Sequence, residues 1–236
     1  NLNTARQNAA AAGTDNTSAL YFGGSPGVAL TETWNGTNWT ETADLNTARR
    51  GLGGAGTKTS ALAFGGNPGF KASTEEFNTG VVGGSWATGG SLNTARNGLG
   101  GAGIQTAALA FGGTPGPSGN TETYNGTNWT EVNNLNTARR WLGSCGTNTA
   151  ALGFGGSTPT TTAITELWNG TNWTEVNDLN QARSSMPGGL GTSTAALGFG
   201  GYNPPSLFAI TELWNGTNWT EVNDLNTARN SITGFG

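Results

Sequence analysis

Residues 135–178, LNTARRWLGSCGTNTAALGFGGSTPTTTAITELWNGTNWTEVND, decide the architecture, because the rest of the chain repeats them. Copies open at Leu2, Leu45, Leu92, Leu135 and Leu179, and a sixth opens at Leu225 and runs to Gly236. A period of 43 to 47 residues is one supersecondary unit. Such a unit cannot bury its apolar face alone and must stack on its neighbours. The repeats span 2–44, 45–91, 92–134, 135–178 and 179–224, and no unit is independent, so residues 1–236 form one domain.

Within the quoted stretch, Trp141-Leu142-Gly143-Ser144-Cys145-Gly146 reads as a first strand of mostly small residues. Thr149 to Phe154 reads as a second, with Leu152 and Phe154 on one face by two-residue alternation. Gly155-Gly156 ends it, since glycine reaches backbone angles closed to other residues. Ile164-Thr165-Glu166-Leu167-Trp168 is rich in β-branched and aromatic types and predicts a third strand. Asn169-Gly170 is a hairpin signal of the type I′ kind, with positive φ expected at both central residues. Trp173-Thr174-Glu175-Val176 follows as the fourth strand. Four antiparallel strands per unit, repeated along the chain, predict an all-β, five-bladed β-propeller. Glycine and alanine concentrate in the first strand of each copy, as the crowded axis of a radial array demands. Trp and Phe sit on later strands, where the blades diverge.

The order of elements resembles the kelch motif. It reads Arg49…Gly65-Gly66…Glu75-Glu76-Phe77…Trp86 in one copy and Arg139…Gly155-Gly156…Glu166-Leu167-Trp168…Trp173 in another. The unit is shorter than the roughly 50 residues of kelch repeats, and Trp often stands before Asn-Gly where kelch has Tyr. The near-identity of the copies is also similar to phage and bacterial kelch-like arrays. That likeness implies a module displayed on a virion or cell surface, or secreted. WD-type repeats carry Gly-His and Trp-Asp pairs that this chain lacks.

One terminus of a kelch-like ring commonly completes a blade begun by the other. Residues 7–13 and residues 230–236 both suit the innermost place of the first blade, and only one can take it. Residues 225–236 are therefore a closing or a spare inner strand. The C-terminal run, with Gly234-Phe235-Gly236, is the expected occupant, and Asn8-Ala9-Ala10-Ala11-Ala12 is the rival. An unpaired duplicate would be a reactive edge inviting a swapped dimer; closure within one chain gives the expected monomer. The chain opens at Asn1, already inside a repeat and without a charged-then-apolar leader, as a processed product or a piece of a longer array would.

Composition narrows the chemistry. Charged residues make up 10% of the chain, the net charge is −4, and the ten Lys and Arg are scattered through the repeats. No basic stripe exists to neutralise phosphates, which argues against nucleic-acid partners. No apolar run is long enough for a membrane helix. Histidine is absent, which removes the usual general base and the usual zinc ligand. No calcium-loop or phosphate-loop spacing occurs. Kelch-like copper oxidases draw on His and Tyr ligands in a pattern this chain does not supply. No catalytic residue, metal site or cofactor is expected. Cys145, the single cysteine, excludes an internal disulfide and reads as a small core residue.

The recurring residues each admit a site reading and a structural one. Arg6, Arg49, Arg96, Arg139, Arg183 and Arg229 could ring the axis with Glu32, Glu75, Glu122, Glu166 and Glu212 and hold an anion or sugar. Buried charges require partners, so repeated ion pairs are the favoured reading. Glu41, Glu131, Glu175 and Glu221 belong on the outer edge, where charge blocks sheet-to-sheet pairing. Trp34, Trp39, Trp86, Trp129, Trp168, Trp173, Trp214 and Trp219 would stack on sugars if exposed, one site per blade, as in a multivalent lectin. Their fixed places favour filler between blades, and Trp141, out of pattern, reads as core at one end of an inner strand. Asn35, Asn38, Asn125, Asn128, Asn169, Asn172, Asn215 and Asn218 head formal glycosylation sequons, which turn chemistry already explains. Val81-Val82-Gly83-Gly84 lengthens one hairpin on the opposite face.

The copies differ most in the loops after Gly-Gly, which emerge on the same face as the Asn-Thr-Ala-Arg linkers. Variable loops on a rigid scaffold are how binding proteins diversify, although such loops also drift freely. Phe70, Lys71, Tyr202, Leu207 and Phe208 are the candidate binding residues. The expected function is a non-enzymatic interaction module for a protein or a surface glycan, or else a purely structural repeat scaffold.

Overall fold

The computed structural model describes residues 1–80, 83–186 and 189–234. Its described residues hold strands and no helix, arranged as five four-stranded antiparallel sheets, the blades of a five-bladed β-propeller. Blade 1 is β1 (Ala10–Asp15), β2 (Ser18–Phe22), β3 (Thr31–Trp34) and β4 (Trp39–Glu41). Blade 2 is β5 (Gly53–Gly56), β6 (Ser60–Phe64), β7 (Thr74–Asn78) and β8 (Ser85–Gly89). Blade 3 is β9 (Gly100–Ile104), β10 (Ala107–Phe111), β11 (Thr121–Tyr124) and β12 (Trp129–Val132). Blade 4 is β13 (Gly143–Gly146), β14 (Ala151–Phe154), β17 (Thr165–Trp168) and β18 (Trp173–Val176), with β15 (Ser157–Thr158) and β16 (Thr160–Thr161) as a small hairpin in its loop. Blade 5 is β19 (Leu190–Thr192), β20 (Ala195–Phe199), β23 (Thr211–Trp214) and β24 (Trp219–Val222), with β21 (Tyr202–Asn203) and β22 (Ser206–Leu207) as its loop hairpin.

Small residues line the axis for two reasons. A Cβ on Gly53 would stand 2.2 Å from the ring of Phe64 in its own blade. One on Gly101 would stand 2.7 Å from the carbonyl of Gly54 on the next inner strand. Both distances are well inside van der Waals contact, so the second-strand Phe and the neighbouring blade together dictate glycine.

Blades adhere through one recurring unit. Phe22, Phe64, Phe111 and Phe154 lie against Trp86, Trp129, Trp173 and Trp219 of the following blade, with ring centroids 4.7 to 5.1 Å apart. The same indoles donate Nε1–H to Thr31, Thr74, Thr121 and Thr165 of the preceding blade, at 3.2, 2.9, 3.1 and 3.0 Å. Apolar contact thus joins a satisfied polar tip, the arrangement buried tryptophan favours. These four tryptophans are filler between blades.

The Asn-Gly hairpins between third and fourth strands differ from the expected two-residue turn. Trp168 pairs with Trp173, so residues 169–172 form a four-residue connection. Only Gly170 has positive φ, at 92°. The Asn169 side chain does the rest, accepting from the N–H groups of Thr171 and Asn172 at 2.9 and 2.8 Å. Asparagine is needed here for its carbonyl oxygen rather than for a left-handed backbone.

Closure also departs from expectation. The N-terminal segment takes the innermost place of blade 1 as β1. Residues 225–234 do not displace it; they lie beside it as a separate sixth spoke. A ring of backbone hydrogen bonds records this. Asn8 donates to Ser231, Ser231 to Ser185, Ser185 to Trp141, Trp141 to Gly98, Gly98 to Gly51 and Gly51 to Asn8, at 2.7 to 3.2 Å. Five blades therefore surround a hub with six members. Val81 and Val82 of the lengthened hairpin, and Phe235 and Gly236 of the C-terminal run, lie outside the described residues.

Candidate functional site

The recurring Arg and Glu form ion pairs inside each blade: Arg6–Glu32, Arg49–Glu75, Arg96–Glu122 at 2.8 Å, Arg139–Glu166 at 3.2 Å and Arg183–Glu212 at 3.0 Å. Each guanidinium also donates to backbone carbonyls, as Arg96 does to Gly112 and Asn120. Each carboxylate accepts the N–H of the Asn in its own LNTAR, as Glu122 does from Asn93 at 2.7 Å. Burial pulls the pKa of Arg49, Arg96, Arg139 and Arg183 down, while the facing carboxylate pulls it back up. Their terminal nitrogens are spent on the fold, and the Nε atoms of Arg49, Arg96, Arg139 and Arg183 are enclosed without a partner among the described residues, so no ring of charge faces a ligand.

The linkers carrying LNTAR and the loops after Gly-Gly share one face, as strand alternation requires. Isolated bridges tie them together: Arg50 with Asn67, Asn97 with Thr114, Arg140 with Ser157 and Ser184 with Tyr202. At the centre of that face lie the hub residues, two positions after each Arg. Asn8, Gly51, Gly98, Trp141, Ser185 and Ser231 all have φ between 55° and 62°. Left-handed backbone is easy for glycine and asparagine and strained for an aromatic residue.

Trp141 occupies such a position with φ of 57°. It precedes β13 instead of belonging to it, and it is half-buried. Its indole lies over two neighbouring hub members: a Cβ on Gly98 would sit 2.9 Å from it and one on Gly51 3.3 Å. Around it are Asn97, buried with its Oδ1 unpaired among the described residues, and Arg140, whose Nε lacks a partner. Exposed Arg50 stands on the adjoining linker. The indole thus covers Gly98 and Gly51 on the hub ring, with Asn97 and Arg50 on the linkers that carry those hub residues and Arg140 on its own. The axial channel, a cavity of about 110 Å³, is neutral and lined by small residues such as Ala10, Gly54, Ala102, Ser144 and Cys145. No group of three metal-ligating side chains occurs among the described residues.

Phe70 and Lys71 sit in the blade 2 loop. Phe70 is 41% exposed with φ of 40°, its N–H held by Asn67 Oδ1 at 3.1 Å. The backbone of Lys71 is fixed at both ends, donating to Gly66 and accepting from Arg96. Tyr202 and Leu207 face each other across β21–β22, with Leu207 50% exposed and Phe208 half-buried beside it. The five residues thus form two clusters, on blades 2 and 5, on opposite sides of the six-membered hub. Sequence reasoning placed Trp141 in the core and missed its place between them. The available signal was its departure from pattern: a Trp where other copies have Gly, Asn or Ser.

No protein-family model matches the chain, and no curated protein matches it.

Proposed function

We propose that this chain is a kelch-like, non-enzymatic binding module, presented on a virion or cell surface or secreted, that engages a protein or surface glycan through its loop-bearing face. Trp141 carries the reading. Five of six hub positions hold small or polar residues; the sixth holds an indole that accepts a left-handed backbone and lies over Gly98 and Gly51. Backbone strain of this kind concentrates at ligand sites. A half-buried aromatic on a fixed backbone, flanked by polar linker residues, is also the composition of a recognition centre. The variable loops of blades 2 and 5 flank it and supply Phe70, Lys71, Tyr202, Leu207 and Phe208.

Trp141→Gly tests this, because glycine suits the local φ and restores what Gly51 and Gly98 carry. Binding to a glycan array and to detergent-solubilised cell-surface proteins should fall at least about tenfold in the variant, with its circular dichroism unchanged. Equal binding by both proteins would remove Trp141 from the site. Hits on the array would identify a glycan; hits confined to the protein arm would identify a polypeptide partner.

A further inference from the structure

The six-membered hub divides the ring into six sectors, and four-stranded blades fill five of them. The faces of blade 5 and blade 1 that border the sixth sector differ from every other blade face. Apolar clusters join blades 1 and 2, 2 and 3, 3 and 4, and 4 and 5; among the described residues none joins 5 and 1. Leu20, Leu62, Leu109 and Leu152 are fully buried, as are Phe22, Phe64, Phe111 and Phe154. Their blade 5 counterparts, Leu197 and Phe199, are only half-buried, and Leu213 and Val222 on the same blade are 42% and 39% exposed.

Polar atoms tell the same story. Thr31, Thr74, Thr121 and Thr165 each accept an indole N–H from the following blade. Thr211, the fifth of the series, is buried with its Oγ1 unpaired among the described residues. Across the sector, Trp39 is the one indole of its series that is half-exposed, and no acceptor for its Nε1 occurs among the described residues. Arg229 is exposed, whereas the other five arginines of its series are paired to a Glu of their own repeat.

We infer that the sector between blades 5 and 1 is a docking site for one three-stranded antiparallel sheet with this repeat's own chemistry. The occupant presents an indole N–H to Thr211, a threonine hydroxyl to Trp39 and a carboxylate to Arg229, and covers Phe199, Leu213 and Val222. A strand order of the AL-F, TE-W and NWTE type places those groups together, as it does in blades 3, 4 and 5. It lies against residues 225–234, which serve as its inner strand. Tyr21 adds a constraint: it stands where Ala63, Ala110, Gly153 and Gly198 stand in other blades. It fills part of the opposite wall, so the facing residue is Phe or something smaller.

The test extends the 236-residue chain at Gly236 with a copy of residues 147–178, the outer part of blade 4, in the same register. One version keeps Phe154 of the copy, and a second carries Ala there to leave room for Tyr21. In at least one version, amide exchange at Phe199 and Leu213 should slow about tenfold or more. Trp emission should shift to the blue, and the melting temperature should rise by several degrees. Thr211→Val should then lower the melting temperature of the extended protein while leaving that of the 236-residue chain within about a degree. Unchanged exchange at Phe199 and Leu213 in both versions, with rapid proteolysis of the added strands, would overturn the proposal. So would sedimentation showing the 236-residue chain as a dimer with those amides already protected, which would assign the sector to a second copy.

Discussion

At the residue scale, one side chain has different meanings in different copies of the same pentapeptide. Arg96 is enclosed, paired to Glu122 and bonded to two carbonyls. Arg229, in the same LNTAR, is exposed. Arg96→Met strands a buried carboxylate and should lower the unfolding free energy by about 3–5 kcal/mol. Arg229→Met should change it by less than about 0.5 kcal/mol. Urea denaturation of both variants measures the contrast. Cys145 supplies a second check. Burial pushes its thiol pKa up to about 12, so almost no thiolate exists near neutrality. Iodoacetamide at pH 8 should leave the folded chain unmodified and add one alkyl group after denaturation, read by mass. That Cys145 is a core residue was legible from its small-residue context. The place of Trp141 was not, because the backbone angle at the hub depends on six distant linkers meeting.

At the element scale, alternation and turn residues located the strands well, and the details they missed concern side-chain oxygens. The Asn-Gly pair located the hairpin between third and fourth strands in blades 1, 3, 4 and 5, yet the connection there has four residues because the Asn carbonyl caps two N–H groups. Asn125, which accepts from Thr127 and Asn128 at 3.0 and 2.9 Å, should on replacement by Ala cost about 1 kcal/mol. Between blades, Thr121→Val would leave the buried indole N–H of Trp173 without its acceptor and should cost about 1–3 kcal/mol. Thermal denaturation of the two variants, side by side, ranks an exposed cap against a buried bridge. Nothing in one repeat announces that bridge: Trp173 and Thr121 lie 52 positions apart, and only packing of successive blades makes them neighbours.

At the scale of the whole molecule, stability is shared unevenly because each blade leans on its neighbours, as in other repeat proteins. Blade 3 has an apolar cluster on both sides, whereas among the described residues blade 5 has one only toward blade 4. Hydrogen exchange followed by mass spectrometry should find β20 opening well before β10, with blade 3 protected to the limit set by global unfolding. Equal protection in the two strands would contradict the reading of an uncovered blade 5. The repeat itself determined the strands, their order, the propeller and the internal Arg–Glu pairs, since each rests on interactions within one period or between identical neighbours. Two things were decided only in three dimensions: which terminal segment enters blade 1, and that the hub counts six members around five blades. Both follow from the angle each linker subtends at the axis, a sum over the entire ring that no single period contains.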